Sequence, residues 1–436
     1  MGNKFIVRTL NEQVRMHVYR TEKFKTLSLR LVICRPLQEQ QVTKTALLPW
    51  VLRRGSRSLP TSRAVMTKME ELYGSVFNAD VSKIGERQMI VLSADLTDPP
   101  TVPDRGRLLE EGMGVLFDIL QDPVSTNGAF QEEYVAQEKE ALRRHIKGLV
   151  NDKMNYAMVR CIEEMCKNEP FALIAHGRVA DLDEIDATGL YAFYQQVLAE
   201  SPCDLYVVGN VTPAEVEAWC RPWLARLQRS NPFPIPGPSV EASVAAVRMV
   251  DEVQDIGQGK LHLGFRTHVP RTSPDYFGLQ VANGILGGFA HSKLFQNVRE
   301  KASLAYYAFS RLEGSKGLIV IGAGIDARNF DQALDIIKAQ VEAIKSGQIS
   351  DDELEYTKRG LLNHYRELID SPGGLIAAQM EADVNGITIG LEEHCAALSR
   401  VSKDDVVRAV TPLELDTIYF LHGPVPASED GGGQNA

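Results

Sequence analysis

Arg299 and Tyr306 stand seven residues apart in the run Leu286-Gly-Gly-Phe-Ala-His-Ser-Lys-Leu-Phe-Gln-Asn-Val-Arg-Glu-Lys-Ala-Ser-Leu-Ala-Tyr306. Their side-chain types could bind and polarise a carbonyl or hold a carboxylate. A tyrosine hydroxyl can donate to a carbonyl oxygen as negative charge develops there, the oxyanion-hole role. A guanidinium fork can hold a backbone carbonyl or a carboxylate through two parallel N–H donors. Spacing alone favours a blander reading, an arginine salt-bridged on a helix and a tyrosine half-buried at the start of a strand. What the pair lacks is a nucleophile or a base. The sequence contains no H-x-x-E-H, no H-x-x-x-H and no G-x-S-x-G elbow, and no cysteine has a motif-linked histidine. Such a pair can bind and polarise, but it cannot hydrolyse by itself.

The elements that must position these residues belong to an ordinary globular chain. Its 436 residues carry 57 acidic against 47 basic side chains, a net charge of −10, with 24% charged and 44% hydrophobic residues. At roughly 100–200 residues per domain this length predicts two or three domains. An acidic balance without a Lys/Arg-rich run argues against nucleic acid or an anionic membrane as partner. The start, Met1-Gly2-Asn3-Lys4-Phe5, lacks a signal-peptide pattern, and Ile6 spoils a myristoylation motif at Gly2. No run reaches the ~18 apolar residues needed to span a bilayer. The six cysteines (34, 161, 166, 203, 220, 395) form no C-x-x-C pair, so buried free thiols and a cytoplasmic location are expected.

A proline-rich stretch, Asn231-Pro-Phe-Pro-Ile-Pro-Gly-Pro-Ser239, divides the chain near its middle. Alternating prolines forbid a helix or central strand and favour a stiff, extended connector. The expected organisation is an N-terminal lobe over 1–228, a linker over 229–242, a C-terminal lobe over 243–426 and a frayed tail over 427–436. The halves read alike. Strand-like Leu27-Ser-Leu-Arg-Leu-Val-Ile33 matches Lys260-Leu-His-Leu-Gly-Phe265, with Leu29/Leu261 at an offset of 232 and Tyr73/Tyr306 at 233. The helical segments beginning at Gln137 and Tyr356 lie 219 apart, and the closing strands from Leu205 and Tyr419 lie 214 apart. Apolar alternation marks strands, as in residues 89–96 and 317–322, while three- and four-residue spacing over 333–344 marks a half-buried helix. The expected fold class is α+β: two homologous lobes from an internal duplication, each a mixed or antiparallel sheet with helices packed on it, arranged as a clamshell.

The Leu286–Tyr306 run resembles the C-terminal half of the pitrilysin/insulinase-like zinc peptidases, whose pattern is Gly-Gly, a small residue, Ser-(Arg/Lys)-Leu-Phe and Arg-Glu-Lys-x-x-Leu-Ala-Tyr. The resemblance covers roughly residues 5–425. It implies that Arg299 and Tyr306 bind substrate, which reverses the bland reading of their spacing. It also implies a zinc site in the first half, built from H-x-x-E-H and a downstream glutamate: two histidines on one helix face with a general base between them. Here Ala46-Leu-Leu-Pro-Trp50 stands in that place, with Ala46 and Trp50 at the histidine positions and Pro49 at that of the base. Glu138 matches the family's first downstream glutamate, and the ligand position seven residues on holds His145, which is expected to be a packing or surface histidine. Pro49 is expected in the first turn of a helix beginning near Thr45–Leu48, with Leu48, Val51 and Leu52 inward and Trp50 filling the vacated metal space.

No metal site and no cofactor are therefore expected in this chain. The resemblance, reinforced by Lys23-Phe24-Lys25-Thr26 and by residues 42–49, is to the zinc-free, arginine–tyrosine subunit of two-subunit bacterial peptidases. It implies a zinc-bearing paralogous subunit as partner, an extended peptide as substrate, and a symmetric homodimer as the alternative association. A non-proteolytic scaffold or peptide-binding protein using the same cavity is the alternative function.

Overall fold

The computed structural model describes residues 4–11, 14–98, 104–227, 235–240 and 242–424. Residues 231–234 of the expected connector and the tail from Ala427 lie outside the described residues. Two compact units emerge, each with its own sheet.

The first unit is built on β1 (Ile6–Asn11), β2 (Val14–Arg20), β3 (Thr26–Pro36), β4 (Val76–Ile84), β5 (Arg87–Thr97) and, after a small hairpin of β6 (Ser125–Thr126) and β7 (Ala129–Phe130), β8 (Cys203–Gly209). They form one sheet in the order β1-β2-β8-β3-β5-β4, antiparallel throughout except for the β2–β8 pair. Its helices are α1 (Val42–Leu52), α2 (Ser62–Glu71), α3 (Arg105–Gln121), α4 (Glu132–Leu149), α6 (Ala187–Glu200) and α7 (Pro213–Leu224); α5 (Lys153–Met165) belongs to the other unit. Leu27, Leu29, Leu31 and Ile33 of β3, with Ile90, Leu92, Ala94 and Leu96 of β5, point to one face at the two-residue period of a strand. There they form a single core with α1, α3, α4 and α6.

The second unit holds β9 (Arg248–Val253), β10 (Gly259–Arg266), β11 (Ala305–Glu313), β12 (Leu318–Ile325) and β13 (Glu414–His422) in the order β11-β12-β10-β13-β9, with β9–β13 the parallel pair. Its helices include α8 (Tyr276–Asn283), α9 (Phe330–Lys345), most of α10 (Asp351–Ile369), α12 (Leu391–Ser399) and α13 (Lys403–Val410). Read from the opposite end, this order matches β2-β8-β3-β5-β4 strand for strand, and the parallel pair falls at the same place. That correspondence is what a fold written twice requires, and it leaves β1 as an extra strand of the first sheet alone.

The units are not the contiguous segments 1–228 and 243–426 expected from the sequence. Val150–Ala172, which contains α5, belongs to the second unit, and Tyr365–Gly390, which contains α11 (Pro372–Asn385), belongs to the first. The two helices are counterparts. α5 buries Ala157, Cys161 and Met165, and α11 buries Ile376, Met380 and Val384, each set four residues apart and the two sets 219 apart. Each covers the sheet of the opposite half: α5 packs on β10 and β13, and α11 packs on β8 and β3. Periodicity shows that a helix has an apolar stripe but not which sheet that stripe will meet. Both sheets are consequently covered on two faces, and β10 is buried along its whole length.

Register refines the repeat. Leu29 pairs with Val207 and Leu261 pairs with Phe420, so the closing strands correspond at 213 rather than 214. A one-residue slip would exchange their faces. Tyr73 has a left-handed backbone (φ 61°) ahead of β4, and the residue so placed ahead of β11 is Ser303 (φ 51°), so Tyr73 is not the counterpart of Tyr306. The described part of the connector is pinned at both ends, by Arg87 donating to the Pro236 carbonyl at 3.1 Å and Lys316 to that of Ser239 at 3.3 Å.

Candidate functional site

The family's metal position falls on α1 in the first unit. The helix starts at Val42, so Pro49 lies in its interior instead of its first turn. The amides of Val42 and Thr45 already bond back to Gln38 and Gln41, carrying the turn upstream of the expected start. Proline removes one i→i−4 bond, to the Thr45 carbonyl, but burial of nearly every α1 side chain holds the segment helical regardless. Leu48, Val51 and Leu52 pack inward as expected.

Trp50 is only 8% exposed and fills the space around it. Its indole N–H donates to Asp80 Oδ1 at 3.0 Å, the Arg53 guanidinium lies 4.4 Å over its ring, and the His145 ring meets its edge at 5.6 Å. His145 lies against His176, ring centroids 4.4 Å apart, and burial followed by proximity to His145 holds His176 below its ordinary pKa. Glu138 is buried and fully engaged, accepting from Arg53 at 3.0 Å and Arg54 at 2.5 Å. This donor set does not fit zinc. Ala46 offers no lone pair, Trp50 is a donor, and the carboxylates are tied to Trp50, Arg53 and Arg54. No group of three His, Cys, Asp or Glu side chains among the described residues is placed to hold a metal ion. His176, which joins this cluster from a loop, was invisible to spacing because it lies 31 residues from His145.

Arg299 and Tyr306 lie in the second unit, on a helix-to-strand passage with unusual backbone. Residues Gly284–Gly288 and Phe295–Lys301 are wound as π-helical turns, and the amide of Ala302 donates five residues back to Asn297. Such turns recur at functional sites because they re-aim side chains. Leu294 and Val298 anchor the second turn in the core, and Lys293 pairs with Glu353 at 2.8 Å. Arg299, on the outer side, is partly exposed and stacks on Phe295 with its guanidinium 4.5 Å from the ring centroid. Tyr306 lies in β11 where the register with β12 breaks: Ala305 opposes Ile325, Tyr307 opposes Gly324, and nothing opposes Tyr306. The extra residue of a β-bulge is thrown out of the pleat, and Tyr306 is 74% exposed rather than half-buried. The turn carrying Arg299 packs against β11, but among the described residues no hydrogen bond joins Arg299 to Tyr306.

Gly287 sets this geometry. A Cβ there would fall 2.3 Å from the Ser310 backbone nitrogen and 2.7 Å from the Phe309 carbonyl carbon. Backbone cannot step aside as a side chain can, so Gly287→Ala is expected to destabilise the unit by about 1–3 kcal/mol. Hydrogen exchange should show faster opening across residues 284–310; unchanged protection there would refute the packing argument.

The next strand residue adds groups that sequence reading passed over. Among the described residues the buried Tyr307 hydroxyl has no hydrogen-bond partner, Lys260 lies over its ring at 5.5 Å, and His262 is fully buried with no side-chain partner for its ring nitrogens. Lys260 and His262 alternate with Leu261 and Leu263, which reads as the solvent side of a strand. The second helix layer on that sheet buries them instead. Burial pushes His262 down to about 3 and also lowers Lys260. A histidine kept neutral in the folded chain contributes nothing above its unfolded pKa near 6.5 and destabilises increasingly as pH falls toward 3. Between pH 7 and pH 5 that loss is about 2 kcal/mol. In urea titrations the His262→Leu variant should lose correspondingly less stability over this interval, and an identical pH dependence would show that His262 is not responsible.

The comparisons with known proteins agree with this geometry. The model of the peptidase M16 inactive domain matches residues 184–361. The probable inactive metalloprotease YmfF of Bacillus subtilis is 41% identical over 412 residues, covering 94% of this chain and 96% of that protein. An uncharacterized zinc protease of Streptomyces coelicolor is 25% identical over 319 residues, covering 70% and 67% of the two chains. The crystal structure of a conserved protein from Enterococcus faecalis superposes with a TM-score of 0.90 at 31% identity, covering 98% of this chain and all of that one. With the zinc-ligand positions occupied by Ala46 and Trp50 and 41% identity over nearly the whole of a relative named a probable inactive metalloprotease, this chain is an inactive metalloprotease-like protein and belongs to the peptidase M16 family.

Proposed function

We propose that this chain is the zinc-free subunit of a two-subunit cytoplasmic peptidase, pairing with a zinc-bearing M16 paralogue and contributing Arg299 and Tyr306 to the binding of unfolded peptides. One observation carries the reading: Tyr306 is the bulged, outward residue of β11, the edge strand of its sheet. An edge strand offers unpaired N–H and C=O groups to which an extended peptide adds as another strand, with little demand on its sequence. A hydroxyl held out at the bulge can donate to one carbonyl of that peptide, and Arg299 can hold a neighbouring carbonyl or carboxylate. In the partner, zinc would activate the attacking water. This chain's part is to bind, align and polarise.

The test is reconstitution. Chain, partner and mixture are purified, metal is measured by mass spectrometry, and cleavage of a fluorogenic peptide library is followed. The chain alone is expected to carry no zinc and no activity, with cleavage appearing when the two are combined. A complex that retains peptide but never cleaves it would favour the non-proteolytic scaffold. A chain that associates only with itself would remove the heterodimer.

A further inference from the structure

A cavity of about 290 Å³ lies within the first unit, between α11 and the face of the six-stranded sheet that α11 covers. This volume lies at the small end of ligand sites. The counterpart place in the second unit is packed solid. There α5 sits so close to its sheet that a Cβ at Gly264 would fall 2.6 Å from Met165 Sδ, and Ala157 and Cys161 have no exposure. The same helix-on-sheet arrangement is dry on one sheet and hollow on the other, so the hollow is not a requirement of the fold.

Charge accounting shows what the hollow would take. Its walls are largely apolar, with Val32 and Met89 from the sheet and Met380 and Val384 from α11. Its carboxylates are already satisfied. Asp204 accepts two bonds from Arg15, at 2.8 and 3.0 Å, and lies 2.8 Å from His17 Nε2. Burial works to raise the Asp204 pKa, but the bonds from His17 and Arg15 outweigh it and keep the group ionised. Asp383 accepts from the Tyr206 hydroxyl at 2.8 Å and from Gln379 at 3.0 Å. Arg87 is different. Among the described residues it has no carboxylate partner: a terminal nitrogen donates to the Pro236 carbonyl, the Cys34 thiol lies in hydrogen-bond reach, and its Nε is buried without an acceptor. The Cys34 thiol beside it cannot balance that charge, because burial pushes it up to about 11 in spite of Arg87. A guanidinium without an ion pair and a buried donor beside apolar walls offer one place for a carboxylate. A dianionic phosphate would also face Asp204 and Asp383, which disfavours it.

We propose that this cavity binds a small monocarboxylate with an apolar body, its carboxylate on Arg87 and its body between Val32, Met89, Met380 and Val384. Arg15, with its side chain 48% exposed, lies on the solvent side of the site. The same chemistry is presented by a free branched acid and by the C-terminal residue of a peptide. Calorimetry on the full chain with 4-methylpentanoate, its amide, the tripeptide Gly-Gly-Leu and its C-terminal amide separates these sources. At least one of the two carboxylates is expected to bind at least tenfold more tightly than its amide; preference for the tripeptide marks a peptide terminus, and preference for the free acid marks a small metabolite. Arg87→Gln should lower carboxylate affinity at least tenfold, with circular dichroism reporting whether the variant folds. Should it not fold, the acid-against-amide comparison on the unaltered chain still decides. Equal affinity of acid and amide, or no binding of either carboxylate at millimolar concentration, overturns the proposal. The readout uses this chain alone, so its failure leaves the peptidase reading untouched, and failure of that reading leaves this one standing.

Discussion

Tyr306→Phe is expected to lower turnover by the reconstituted complex about 100- to 1,000-fold, the usual loss when one oxyanion donor is deleted. The fall should appear in kcat more than in KM, because the hydroxyl bonds most strongly to the carbonyl oxygen as it gains charge. Stability should hardly move. The ring is 74% exposed at a bulge, and surface changes of this kind stay within about 0.5 kcal/mol. Arg299→Lys serves as the companion: it keeps the charge and loses the fork, so it should weaken peptide binding and raise KM. Peptide cleavage assayed at matched complex concentration reads both. Unchanged turnover in Tyr306→Phe would remove the tyrosine from the site.

Trp50→Ala is expected to do the reverse, costing about 3–5 kcal/mol of stability while leaving turnover per folded complex intact. The side chain lies in the core of the first unit, its N–H is committed to Asp80, and Arg53 stacks on its face. Removing it opens a cavity and takes away the indole donor to Asp80 and the ring beneath Arg53. Chemical denaturation followed at the first unit's tyrosines would measure the loss. A variant as stable as the parent would mean that Trp50 does not fill the metal position, and a variant stable but inactive would mean that this position still serves the chemistry. The two substitutions together separate the half of the site that became packing from the half that kept donors.

Much of this protein could be read along its chain. Ala46, Pro49 and Trp50 cannot bind zinc or move a proton wherever the helix begins, because that follows from their atoms. The Leu286–Tyr306 run carried its family pattern intact. The start of α1 was misplaced because proline's local preference for a first turn was overridden by burial around it, a tertiary effect. Lys260 and His262 show a similar override: alternation with leucines is the pattern of a wet face, yet a second helix layer covers them.

The amino-acid sequence by itself determined the chemistry available to the chain, the two-fold order of its elements and the seven-residue spacing of Arg299 and Tyr306. These are properties of side-chain type and spacing. The tertiary structure alone decided that α5 and α11 change units, that the closing strands match at 213, and that Tyr306 stands out of the pleat. It also decided that Arg87 faces a hollow with its Nε buried and, among the described residues, without an acceptor. Each of these depends on which distant residues pair, and a strand's register or a helix's choice of sheet is settled by long-range burial that no local spacing encodes.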